Sequence, residues 1–127
     1  MAILTVDDFT TKDIKKAVVD TPRYLEIAQT YYESLLDEFG IELADAPLIA
    51  HNITKETVLF YTSKRICADL KGYTYRQVAD GVQEDPYKVK YDDYNKEWLM
   101  WKTRVTFDIL MKRKPSKGTA SGVIYRS

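Results

Sequence analysis

One histidine and one cysteine stand in this 127-residue chain, and that scarcity bounds the chemistry available to it. His51 has no carboxylate or second imidazole at a helical spacing, whereas a metal site needs two or three companion ligands; a structural or surface role is expected. Cys67 has no cysteine to pair with, which excludes an internal disulfide and a thiolate cluster and fits a reducing compartment. Asp92, Asp93 and Glu97 gather acid in one stretch, but Lys90, Lys96 and Lys102 are interleaved with them. Solvated ion pairs are therefore expected rather than the paired carboxylates of a hydrolase. Asn52, Ile53 and Thr54 match a glycosylation acceptor, yet fall within a predicted helix of a chain with no secretory leader pattern, so the match is read as chance. Neither a glycine-rich phosphate loop nor a nucleophile elbow is present. The expectation is a protein without catalysis, cofactor or metal.

Aromatic residues carry more information. Tyr87, Tyr91, Tyr94, Trp98, Trp101 and Val105 follow one another at steps of 4, 3, 4, 3 and 4, which sets six bulky side chains on one side of a helix. Trp98 and Trp101, close to Lys96, Lys102 and Arg104, have the composition of a base-stacking, phosphate-neutralising surface. The regular spacing favours helix packing, as core or as interface. Beyond Asp108 the chain has no acid, while Lys112, Arg113, Lys114, Lys117 and Arg126 contribute five positive charges. Such a tail suits nucleic acid, an acidic protein surface or simple solubility.

The elements that must position these residues are mostly helical. A 14.7 kDa chain with 45% hydrophobic and 13% aromatic residues has the apolar content for one core and little room for two. Net charge is zero, but residues 1–45 carry 10 acids against 4 bases, and residues 46–127 carry 9 against 15. No run of about 18 apolar residues marks a membrane span. Phe9, Ile14, Ala17 and Val18 suggest a short amphipathic segment. A helix over residues 22–39 is signalled by Thr21 and Pro22 at its start and Gly40 after its end, with Leu25, Ala28, Tyr32, Leu35 and Phe39 facing inward and Ile27, Tyr31 and Leu36 widening that face. Pro47 is expected to open a central helix that stops at Gly72, with Ile49, Ile53, Phe60 and Cys67 near one line. Residues 72–84 read as a loop, or as a loop with one helical turn that Gly81 ends. Asp85 and Pro86 then start a last helix reaching about Arg113, some 42 Å at about 1.5 Å per residue, long enough to project from a small bundle. The expected fold is all-α: three to four helices over residues 1–114, then an extended tail over 115–127. The run Val123, Ile124, Tyr125 is β-prone and suits strand addition to a partner.

This order of a short lead, a proline-started helix ending in "LLDEFG", a middle helix with "SKRICADLKG", a loop, "EDPYKVKYDDYNKEWLMWKTRVTFDIL" and a β-prone tail resembles the head-tail adaptor proteins of tailed bacteriophages, also called connector or head-completion proteins. The resemblance implies a virion protein assembled in the host cytoplasm, one of a ring of copies, usually a dodecamer, beneath the portal. The ring prolongs a channel through which DNA passes without sequence-specific binding. It further implies that Val123, Ile124, Tyr125 and Arg126 dock on the portal protein, that the last helix lines or braces the ring, and that "GYTYRQVADGVQED" meets the downstream neck or tail protein. The rival reading is a small nucleic-acid-binding helical phage protein, a regulator or packaging subunit. Binding through several phosphates weakens steeply with salt, whereas a strand-added tail resists it.

Overall fold

A computed structural model of the chain describes residues 2–77 and 86–113. It is all-α: among the described residues, five α-helices run in the order α1 (Lys12–Asp20), α2 (Arg23–Glu38), α3 (Asn52–Gln77), α4 (Pro86–Lys102) and the single turn α5 (Phe107–Leu110). Before α1, a 3-10 turn at Val6–Asp8 is closed by the Asp8 carboxylate, which accepts from the Thr5 backbone N–H at 2.7 Å. The core takes Ile3, Leu4 and Phe9 from this lead, Ile14 and Val18 from α1, and Tyr24, Ala28, Tyr32, Leu35 and Leu36 from α2. Val58, Ile66 and Cys67 join from α3, with Val105 and Leu110 from the C-terminal part.

The α2 boundaries follow their signals closely. The Thr21 carbonyl accepts from the Tyr24 N–H, and Pro22 occupies the capping position with helical backbone angles. At the far end, Gly40 takes φ +70°, the Gly40 N–H donates to the Asp37 carbonyl and the Ile41 N–H to the Leu36 carbonyl. This pair of bonds closes a helix through a left-handed residue, which glycine adopts without Cβ strain. Phe39, expected on the buried face, is instead 37% exposed, because the chain turns away there and Leu36 fills the core position.

The start of α3 differs from expectation. Pro47 does not open the helix: a 3-10 turn at Leu43–Asp45 and an irregular stretch come first, and α3 begins at Asn52. His51 supplies the reason. Its Nδ1 accepts from the Ile53 N–H at 3.0 Å and its carbonyl accepts from the Lys55 N–H, so the histidine itself caps the helix. Ile49, expected in line with Ile53, Phe60 and Cys67, therefore lies outside the helix and is 69% exposed. Gly72 does not stop α3, which runs to Gln77. The helical penalty of a glycine, about 1 kcal/mol, is small enough for context to override.

Helices α2 and α3 are antiparallel: Tyr24 meets Asp69, and Tyr31 meets Tyr61. Helices α3 and α4 form a second antiparallel pair, with Tyr61 against Trp98 and, one turn on, Lys64 against Asn95. Helix α1 crosses to α4 through Lys90–Asp13 at 2.7 Å and the Thr11 and Tyr94 hydroxyls at 3.3 Å.

The last helix is shorter than expected. It ends at Lys102 after 17 residues, about 26 Å at about 1.5 Å per residue, so the far projection anticipated from a helix to Arg113 does not arise. Two threonines make the break. Thr103 Oγ1 donates to the Met100 carbonyl at 2.7 Å, and Thr106, in extended backbone, accepts from the Ile109 N–H to cap α5. The break turns the chain so that Val105 and Leu110 are both buried.

Candidate functional site

Along α4, the predicted stripe divides into a packed half and an interacting half. Tyr87, Tyr91 and Tyr94 lie partly buried against the core. Trp98 and Trp101 are each partly exposed, and Val105 is buried beyond the helix end. Stepping by 4 and 3 therefore places Tyr87 to Trp101 on one helix face, while Val105 reaches the core through the turn.

Around Trp98 the structure assembles a cluster from three helices. Tyr31 of α2 stacks on Tyr61 of α3 with ring centroids 3.9 Å apart and planes 8° from parallel. Trp98 meets Tyr31 edge-on at 6.3 Å, and its indole N–H donates to the Tyr31 hydroxyl at 2.8 Å. Lys64 Nζ sits 3.8 Å from the Trp98 ring centroid and donates to the Asn95 side-chain oxygen at 3.1 Å. Lys102 Nζ lies 5.3 Å from the same ring. An indole face attracts cations, by roughly 0.5–2 kcal/mol depending on exposure. Neither lysine forms an ion pair among the described residues. Burial, and secondly repulsion from Lys102, pulls the Lys64 ammonium below its ordinary pKa. Burial pushes the Tyr31 hydroxyl up to about 12, so it holds its proton at neutral pH.

The sequence reading missed Tyr31, Tyr61 and Lys64 as partners of Trp98. A signal existed: Tyr61 and Lys64 are three residues apart on one helix and share a face. The acid around residues 92–97 resolves differently from expectation, because Lys90 turns to Asp13 on α1 rather than to its neighbours. That hydrogen bond, partly offset by burial, holds the Asp13 carboxyl below the usual range and raises Lys90. Cys67 is fully buried and burial pushes its thiol up to about 11, far from a reactive thiolate.

A second surface, not anticipated, occupies the end of the bundle where α2 turns into α3 and where α5 docks. Leu48 is 82% exposed, and Phe39, Leu43, Ile49 and Phe107 are exposed as well. Two open hollows flank this connection. One of about 400 Å³ is lined by Gly40, Ile41, Asp45, Phe107, Met111 and Arg113; the other, about 140 Å³, by Ala2, Ile3, Leu48, Ile49, Ala50 and Lys55. Val19, Val89, Leu99 and Met100 are exposed elsewhere, but the run from Phe39 to Ile49 with Phe107 gathers the largest share at one end and makes it a candidate contact surface.

Val123, Ile124, Tyr125 and Arg126 lie outside the described residues, as does the 78–85 portion of the segment expected to meet a downstream protein. Residues 72–77 of that segment are helical. Among the described residues no group of three histidine, cysteine or acidic side chains is arranged to hold a metal ion, and no helix is long and apolar enough to cross a membrane. No protein-family model matches the chain, and comparison with curated proteins and with solved structures finds no match to either.

Proposed function

We propose that this chain is a structural adaptor of the neck of a tailed bacteriophage. It assembles as a ring, dodecameric by the resemblance, that joins the portal to the tail or next neck protein and extends the DNA channel without catalysis. The observation that carries an assembly role is the uncovered apolar end formed by Phe39, Leu43, Leu48, Ile49 and Phe107, which a lone bundle gains by covering with a neighbour. The phage neck as its place comes from the order of elements in the sequence. On this reading Val123 to Arg126 of the tail dock on the portal, and the apolar end faces another copy or the next protein along the channel. Cryo-electron microscopy of the particle's neck tests it: this chain traced as a ring between portal and tail is the expected result, and a neck fully accounted for by other chains removes the proposal.

A second reading draws on Lys64 and Lys102, two ammonium groups beside one indole, a pairing suited to a stacked base and a phosphate. Titration with single-stranded and duplex DNA across a salt series separates the two. An affinity falling steeply with salt and lost in Lys64→Ala supports nucleic-acid binding; no binding at low salt excludes it.

A further inference from the structure

We propose that the chain's own C-terminal residues 114–127 cover the hollow beside α5, with Val123, Ile124 and Tyr125 as the inserted anchors. The described chain ends at this hollow: Arg113 is one of its lining residues, its guanidinium 5.3 Å from the Phe107 ring centroid, and Phe107 is 40% exposed. The lining is mixed: Ile41, Phe107 and Met111 offer apolar contact for the anchors, and the exposed Asp45 and Arg113 add one charge of each sign.

Charge favours this occupant. Residues 37–45 contain Asp37, Glu38, Glu42 and Asp45 and no base, while residues 114–127 contain Lys114, Lys117 and Arg126 and no acid. The basic segment leaves the bundle beside its acidic complement, which orients the approach and disfavours exit in the other direction. Reach favours it too. Nine residues separate Arg113 from Val123, spanning at most about 30 Å at about 3.3 Å each, with a root-mean-square span of roughly 16 Å if they behave as a flexible linker. A return to a hollow that begins at Arg113 lies well within that range. Pro115, Gly118 and Gly122 supply the residue types that chain reversals use. A tether this short gives an effective concentration in the millimolar range, so even a weak three-residue anchor is held against its own bundle in preference to a second molecule's. The contact is internal to one unassembled chain; on the neck reading the same Val123, Ile124 and Tyr125 exchange this hollow for the portal, so the test is made on the isolated protein.

The test is an amide NMR comparison of the full chain with a Val123→Ser, Ile124→Ser, Tyr125→Ser variant, at two protein concentrations tenfold apart. Circular dichroism confirms that the variant keeps its helices. The expected result is a set of shifts confined to Gly40, Ile41, Asp45, Phe107 and Met111, identical at both concentrations. A second variant, Glu42→Lys with Asp45→Lys, leaves the tail intact and is expected to shift the amides of residues 123–126 toward their values in an isolated 114–127 peptide. Unmoved hollow resonances overturn the proposal. Shifts that grow with concentration overturn it as well, because they assign the hollow to a second copy.

Discussion

Trp98 is the residue on which three helices converge: its N–H holds Tyr31 of α2, its ring meets Tyr61 of α3, and its face carries Lys64. Because the indole is only partly buried, truncation costs less than the 3–5 kcal/mol typical of a fully buried tryptophan. Trp98→Phe keeps much of the packing and removes the hydrogen bond to Tyr31. The expected loss is about 1 kcal/mol, read as a lower urea midpoint; no change would mean the bond contributes nothing net. Asp13 offers a pH-dependent counterpart. Its folded pKa is depressed below the ordinary 3.8, so its pairing with Lys90 adds stability above that value and loses it as pH falls through the folded pKa. Asp13→Asn is therefore expected to lower the melting temperature at pH 7 and to match the parent below the folded pKa. A gap that persists undiminished in strong acid would show that geometry, not charge, is at stake. Both groups are partly exposed, so the effect is modest.

Among the elements, helix ends decide more than helix interiors. Gly40 sits at φ +70°, and a Cβ built there meets nothing within 4 Å, so Gly40→Ala is expected to cost about 1 kcal/mol through backbone conformation alone. Gly40→Asn should recover part of that loss in the same denaturation assay; equal losses would point to another cause. Thr106→Ala removes the α5 cap and is expected to cost about 1 kcal/mol, with hydrogen exchange accelerated at Ile109 and Leu110 and unchanged along α4. Uniform acceleration would mean that α5 and α4 open together. These ends also explain what the sequence disclosed. Thr21, Pro22 and Gly40 are residues with strong positional preferences, and α2 was legible to within a residue or two. Pro47 is compatible with a turn as well as a first helical position, and the cap that prevailed was the side chain of His51, which no spacing rule flags. Thr103 and Thr106 fit an exposed helix face as readily as a break; only the burial of Val105 and Leu110 distinguishes them. The Trp98 cluster depends on the register between three helices, which a single helix's periodicity does not contain.

For the whole molecule, the apolar end is separable from the core. Leu48 and Ile49 are exposed, so Leu48→Ser with Ile49→Ser is expected to leave the melting temperature within about 1 °C while abolishing self-association in analytical ultracentrifugation or incorporation into particles. A large thermal loss would reassign these side chains to the fold. The turn at Thr103 also sets how force enters the protein. Tension on the chain beyond Arg113 meets α5 first, a single turn whose one buried side chain is Leu110, before it reaches the paired α3 and α4. Peeling residues 103–113 away would release roughly 35 Å of extended chain, at about 3.3 Å per residue, while the three-helix packing around Trp98 stays loaded lightly or not at all. Under such a load this segment would yield before the paired helices behind it, with Val105 and Leu110 as the two buried side chains that resist its release.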